Sequence, residues 1–338
     1  MIEPDLGSGE RASRTGMRRL RLVLLGARLD VVAGGDVIGR YLADALADLA
    51  VSGGDVAGPR HVVGIVADRP GAPGGQAEVR IDGALICRTA AVSYAVGLVL
   101  WLLNRFAVSH LPETHVAFHA GVVARDDVAL MLPASSGAGK STLTAALVET
   151  GFDYGSDELA VIDPATMRLL PYPKPISLDP GSWPLFPAVD PGPSGCLGLS
   201  LRQWQVRPAA LRPGAALAHG TVLHLILPHY VAGGPLELTP LARARALVHL
   251  AGQSFLPEVD QRARLEVLAA IVRRLTCWQL TLDDPRAAAA TIRRVVEAGS
   301  SRRTGTDEAG GAGRSANGGP PNSVVPSRLV DSREGNPT

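Results

Sequence analysis

VALMLPASSGAGKSTLTAALVETG, residues 128–151, is the stretch whose reading decides the fold. It opens on an unbroken apolar run, 128–132, which reads as a buried strand. The segment that follows is Ala134-Ser135-Ser136-Gly137-Ala138-Gly139-Lys140-Ser141-Thr142. It fits the pattern of a phosphate-binding loop, with Ala134 where the first glycine usually stands. Gly137 and Gly139 allow the backbone to turn so that successive amides point at phosphate oxygens. Lys140 offers a cation to β- and γ-phosphates, and the Ser141 hydroxyl offers a ligand to Mg²⁺. Beyond the loop, Leu143, Ala146 and Leu147 recur at helical spacing, and Gly151 is placed to stop that helix. The helix start adds the positive end of its dipole. Strand, loop and helix in this order imply nucleotide binding; the plainer alternative is a Gly/Ser-rich connector.

Working outward, residues 116–124 form a second apolar strand, joined to the first by the turn Arg125-Asp126-Asp127. If that turn centres on Asp126, His119 lies across from about residue 133, at the entry to the loop. An imidazole there can assist proton transfer or contact a γ-phosphate, although a lone His on a strand is also commonly a satisfied core residue. On the far side, residues 157–162 read as the next strand, preceded by Ser156 and opening on Asp157-Glu158. Carboxylates at strand ends beside a phosphate loop reach the γ-phosphate. Asp157 is the candidate base and Glu158 the metal-side or orienting carboxylate. A solvated acidic turn is the alternative.

Elsewhere, residues 20–32 read as a strand pair, 36–49 as an amphipathic helix, and 61–67 and 77–87 as strands. Residues 90–108 read as an apolar helix, too short for the roughly 20 residues of a membrane span. Strands are expected at 222–227 and 277–282, and helices at 240–251, 260–275 and 285–298, the last capped by Asp284 with Pro285 at its first position. The domain reading is a disordered start at 1–18, a small α/β domain at 19–112, a phosphate-loop domain at 113–299 and a disordered Gly/Ser/Pro-rich tail at 300–338.

The whole-chain balance narrows the classes. Lys+Arg (33) and Asp+Glu (32) nearly cancel, and aromatics are only 4%, so neither nucleic acid nor an anionic membrane is the expected partner. Apolar residues at 46% of the 338 suit a globular core. Cys87, Cys196 and Cys277 form no pair at metal-ligand spacing, which fits a reducing cytoplasm. The first 19 residues lack the apolar core of a signal peptide.

The run 118–163 (FHAGVVARDDVALMLPASSGAGKSTLTAALVETGFDYGSDELAVID), with LVLWLLN (98–104) and PYPKPISL (171–178), resembles the HPr kinase/phosphorylase superfamily, specifically HPr-kinase-related serine kinases of bacterial peptide-modification clusters. The resemblance implies an α/β fold with a P-loop kinase core like that of HPr kinases and phosphoenolpyruvate carboxykinases. It also implies ATP and Mg²⁺ as cofactors, and a protein or peptide acceptor bearing Ser. A peptide-binding chaperone and a homo-oligomer are further implied partners. Asp157 falls on the family's catalytic carboxylate, His119 on its histidine, and Gly139, Lys140 and Ser141 on its nucleotide and metal positions. Glu158 departs from the Asp of true HPr kinases, their Arg-Gly loop has no clear counterpart, and Asp179 stands where relatives carry Lys. These departures point to an acceptor other than HPr. Two other functions share the loop: a small-molecule kinase, and a non-catalytic module that responds to nucleotide.

Overall fold

The computed structural model describes residues 17–51, 60–67, 75–135, 137–189, 203–215, 217–255 and 260–309. Ser136, Cys196 and the outer parts of both expected disordered ends lie outside them. The chain is mixed α/β, as expected, and residues to Glu297 form one compact unit.

The first sheet has five strands. β1 (Met17–Leu24) and β2 (Ala27–Gly34) are the expected pair, turning through Leu25 and Gly26 at positive φ. Then come α1 (Asp36–Ala45) and β3 (Arg60–Ala67), which runs parallel to β2. Residues 77–87, expected as one strand, are two: β4 (Ala77–Ile81) and β5 (Ala84–Thr89). Asp82 and Gly83 between them both take positive φ, and Asp-Gly is a favoured two-residue hairpin turn. α2 (Val92–Ser109) lies over this sheet with eight of its 18 residues buried. It is the one helix among the described residues long and apolar enough to cross a membrane.

The second sheet has nine strands and carries the loop. β6 (Val116–Arg125) and β7 (Val128–Pro133) form the expected hairpin, with Asp126 and Asp127 at positive φ. Their register pairs Ala120 with Pro133, so His119 falls opposite residue 134, one beyond the expected position. α3 (Lys140–Glu149) follows the loop, and Gly151 at φ 106° stops it as expected. The strand expected at 157–162 is two pieces, β8 (Asp153–Ser156) and β9 (Leu159–Ile162), both antiparallel to β6. Asp157 and Glu158 fall in the break, because the Ser156 hydroxyl accepts the amides of Glu158 (3.1 Å) and Leu159 (3.0 Å). Those bonds replace ladder bonds and turn the chain locally.

β10 (Leu169–Leu170) pairs with β9, while β11 (Ile176–Leu178) and β12 (Trp204–Val206) make a small ladder of their own ahead of α4 (Pro208–Leu211). β13 (Thr221–Tyr230) runs parallel to β7. β14 (Glu237–Pro240) takes residues given above to a helix, so α5 (Arg243–Gln253) begins later than expected. β15 (Ser254–Phe255), α6 (Gln261–Arg274), β16 (Thr276–Leu282) and α7 (Pro285–Ala309) complete the chain. The Asp284 carboxylate accepts the amides of Arg286 (2.8 Å) and Ala287 (3.3 Å) at the start of α7, the expected cap. That helix runs on past residue 298 to Ala309.

Strand periodicity sorts the core into layers. On β7, Ala129 and Met131 face α5 and α6, whereas Val128, Leu130 and Leu132 face α3 and α7. On β6, Phe118, Ala120 and Val122 join the first of these layers, and Val123 the second. His119 and Gly121 share the Val123 side, the side that α3 covers. α3 is buried almost all round: Leu143, Leu147 and Val148 are fully enclosed, each contributing about 1.5–3 kcal/mol of burial.

Candidate active site

The loop between β7 and α3 opens a cavity of about 800 Å³. Gly137 (φ 82°) and Gly139 (φ 84°) hold the left-handed conformation that a side chain disfavours. No side chain caps α3, so by helix geometry the first amides, from Lys140 to Thr142, have no partner inside the helix. Ser135, Gly137, Gly139, Lys140, Ser141 and Thr142 line the cavity, while Ala134 is buried behind it. Ala138 donates its amide to the Ser135 carbonyl (3.3 Å) and shapes the turn. The arrangement suits an anion.

Lys140 is buried, and its ammonium donates to His119 Nε2 at 2.9 Å. That bond requires a lone pair on Nε2, so the proton sits on Nδ1, which faces Glu158 Oε1 at 3.4 Å. Glu158 Oε2 in turn lies 3.7 Å from Lys174 Nζ. The chain Lys140–His119–Glu158–Lys174 therefore alternates cation, neutral ring, anion and cation. Burial pushes the Lys140 ammonium pKa down, Asp157 and Glu158 pull it up, and Lys174 lowers it again; the net is downward. Burial pushes the Glu158 carboxyl up, but the His119 hydrogen bond and the charges of Lys174, His119 and Lys140 bring it down to about 2.

The two neighbouring carboxylates part company. Asp157 is 1% exposed and lies behind the loop, where Oδ2 accepts the Ser141 hydroxyl (3.0 Å) and the Ser177 amide (2.9 Å). Its other oxygen is 3.2 Å from the Tyr154 hydroxyl, which also reaches the Lys174 carbonyl at 2.6 Å. Burial, then Asp157, pushes the Tyr154 phenol far up, so it remains a donor. Glu158 lines the cavity itself. Among the described residues no cluster of three or more His, Cys, Asp or Glu forms a metal cage. Ser141 and Asp157 do bring two hard oxygens together, a donor set that suits Mg²⁺ completed by phosphate and water.

Sequence reasoning missed Lys174, Ser177 and Gln205. Lys174 is buried and reaches Ser177 Oγ at 3.3 Å, and Ser177 Oγ donates to Gln205 at 3.2 Å. The signal for Lys174 was a single charge among prolines and apolar residues in PYPKPISL. Tyr172, two residues earlier, donates to Asn104 of α2 at 3.1 Å and ties this segment to the first sheet's helix.

An acid-stability test follows from Glu158. Its folded pKa, about 2, lies below its ordinary 4.5, so its stabilising contribution is complete above pH 4.5 and is lost as pH falls towards 2. The wild type should lose on the order of 3 kcal/mol through this group across that window. Urea titrations at stepped pH should show Glu158→Gln flatter by that amount; parallel curves would remove Glu158 from the acid response.

A scan against protein-family models finds no match for this chain, and a search of curated proteins finds none either.

Proposed function

We propose that the protein is an ATP-dependent kinase with a P-loop core of the HPr-kinase-like type, transferring the γ-phosphate to a Ser hydroxyl of a protein or peptide in the cytoplasm. The observation that carries this reading is the pairing of an anion-cradling loop with Glu158 and His119 on one cavity, and with Asp157 beside Ser141. ATP supplies the phosphoryl group, and Mg²⁺, held by Ser141 and Asp157, offsets its negative charge. Lys140 and the first amides of α3 bind phosphate oxygens. Glu158 accepts the hydrogen bond of the incoming hydroxyl, aligns its oxygen, and takes its proton as the new O–P bond forms and the bond to the bridging oxygen breaks. The loose character of phosphoryl transfer asks little basicity of that carboxylate, which is compatible with its low pKa. His119 holds Glu158 through Nδ1–H, and Lys174 holds its other oxygen.

Burial favours giving Asp157 the metal side and Glu158 the hydroxyl side, an exchange of the two roles assigned from their order along the chain. The test is purified full-length protein with Mg²⁺, γ-labelled ATP, and either pooled Ser-bearing peptides or pooled hydroxyl metabolites. Label on peptide is expected. Label on metabolites alone would favour a small-molecule kinase. Tight ATP binding without turnover, unchanged in Asp157→Asn, would sink both enzyme readings.

A further inference from the structure

α2 carries a glycine that the fold does not need. A Cβ built on Gly97 meets no atom within 4 Å, so neither close packing nor backbone crowding requires it. Inside a helix glycine is less favourable than alanine. Gly97 lies three residues after Tyr94 and four before Trp101, so the three share one face. Both aromatics are left open, at 60% and 53% exposure. Glycine thus makes a notch between two uncovered rings.

That face lines a groove of about 1020 Å³ which runs into the loop cavity; Gly97, Leu100, Trp101, Gln203 and Gln205 line both. No charged side chain lines the groove. Thr89, Ser93 and the two glutamines offer it hydroxyls and amides of the kind that bond a peptide backbone. Tyr41 also lines it, is 2% exposed, and its hydroxyl has no hydrogen-bond partner. Burial, then Asp44, pushes that phenol up, so it stays protonated and able to donate.

We infer that this groove is the acceptor site: an uncharged, apolar peptide segment lies across the Tyr94–Gly97–Trp101 face and delivers its Ser hydroxyl to Glu158. The inference rests on the kinase reading above and adds the acceptor's class and path. Continuity with the loop cavity argues for the acceptor as occupant. Tyr230 and Pro285 line another part of that cavity, which leaves the α2 side open to a second substrate. The absence of charge in the lining argues for an apolar segment, and the notch for a chain crossing the helix.

The experiment immobilises the full chain with Mg²⁺ and a non-hydrolysable ATP analogue and offers a synthetic library of peptides. Each peptide carries one central Ser, with apolar, polar or charged residues at the flanking positions. Retained peptides are sequenced by mass spectrometry, then incubated with γ-labelled ATP and fresh enzyme. Peptides with an apolar residue at fixed spacing from Ser should be enriched about tenfold over charged ones. Gly97→Leu, which fills the notch from open space, should abolish the enrichment, while Gly97→Ala should keep it. Binding of a fluorescent ATP analogue monitors the nucleotide end in each variant. Enrichment lost in Gly97→Leu, with label on the retained peptides, supports both readings. Enrichment without label keeps the groove and removes the kinase. Label regardless of flank, undiminished in Gly97→Leu, keeps the kinase and overturns the groove. Neither enrichment nor label overturns the groove as well.

Discussion

Replacing Asp157 with Asn should lower phosphotransfer by about 10³-fold while barely moving the melting temperature. The geometry separates the two effects. Oδ2 accepts the Ser141 hydroxyl and the Ser177 amide, and an amide carbonyl accepts both equally well. The new NH₂ takes the place of Oδ1, where the Tyr154 hydroxyl can rest wholly on the Lys174 carbonyl, its shorter contact. What vanishes is a buried negative charge, and with it the anionic oxygen beside Ser141. The variant should therefore demand more Mg²⁺ for its residual rate. Rates measured against Mg²⁺ concentration, beside thermal melts of the same preparations, make the check. Glu158→Gln is the counterpart, slowing transfer with no change in Mg²⁺ requirement. If the two variants behaved alike towards Mg²⁺, the division of roles between the carboxylates would be wrong.

The second large effect lies in the scaffold. Gly121 sits on β6 under α3, and a Cβ there would stand 2.6 Å from Thr144 Oγ1 and 3.4 Å from Lys140 Cγ. Valine at this place cannot fit unless α3 lifts from the sheet. Overpacking of this kind costs about 1–3 kcal/mol, and we expect Gly121→Val near the upper end, read from urea midpoints. Because α3 begins at Lys140, the lift also moves the lysine from His119, so nucleotide affinity should fall with stability. Thr144→Ala removes the clashing oxygen and its bond to the Lys140 carbonyl (2.9 Å), for about 1 kcal/mol. Combined with Gly121→Ala, it should be less damaging than the sum of the two single changes, with a coupling of about 1 kcal/mol or more. Strict additivity would show that the two residues do not press on one another.

What could be read from the sequence, and what could not, follows from how far each feature depends on its neighbours in the chain. The 116–132 hairpin, the helix after the loop and its stop at Gly151 are local: periodicity and turn chemistry suffice. The double nature of 77–87 was also local, written in Asp82-Gly83, but hidden by apolar flanks. The break at Asp157 was harder, because it depends on the Ser156 hydroxyl outbidding a ladder that only β6 provides. Lys174 and Ser177 come from a segment without periodicity, and only tertiary packing brings them to Glu158 and Asp157. The sequence pointed to both carboxylates but could not tell them apart, since burial separates them and burial is a property of the whole chain.

β6 carries a last consequence. Along it, Ala117 belongs to the core of the first sheet, Phe118 to the α5/α6 layer, His119 to the lysine, Gly121 to the underside of α3 and Val123 to the layer beyond. Neighbouring residues on this strand are therefore not interchangeable even by hydrophobicity. Deleting one residue anywhere between 117 and 123 would exchange faces, sending an imidazole into apolar packing and a phenyl ring against Lys140. Drift in length at this strand is closed to the protein, and variation must come as substitution at fixed spacing from residue 116 to 125.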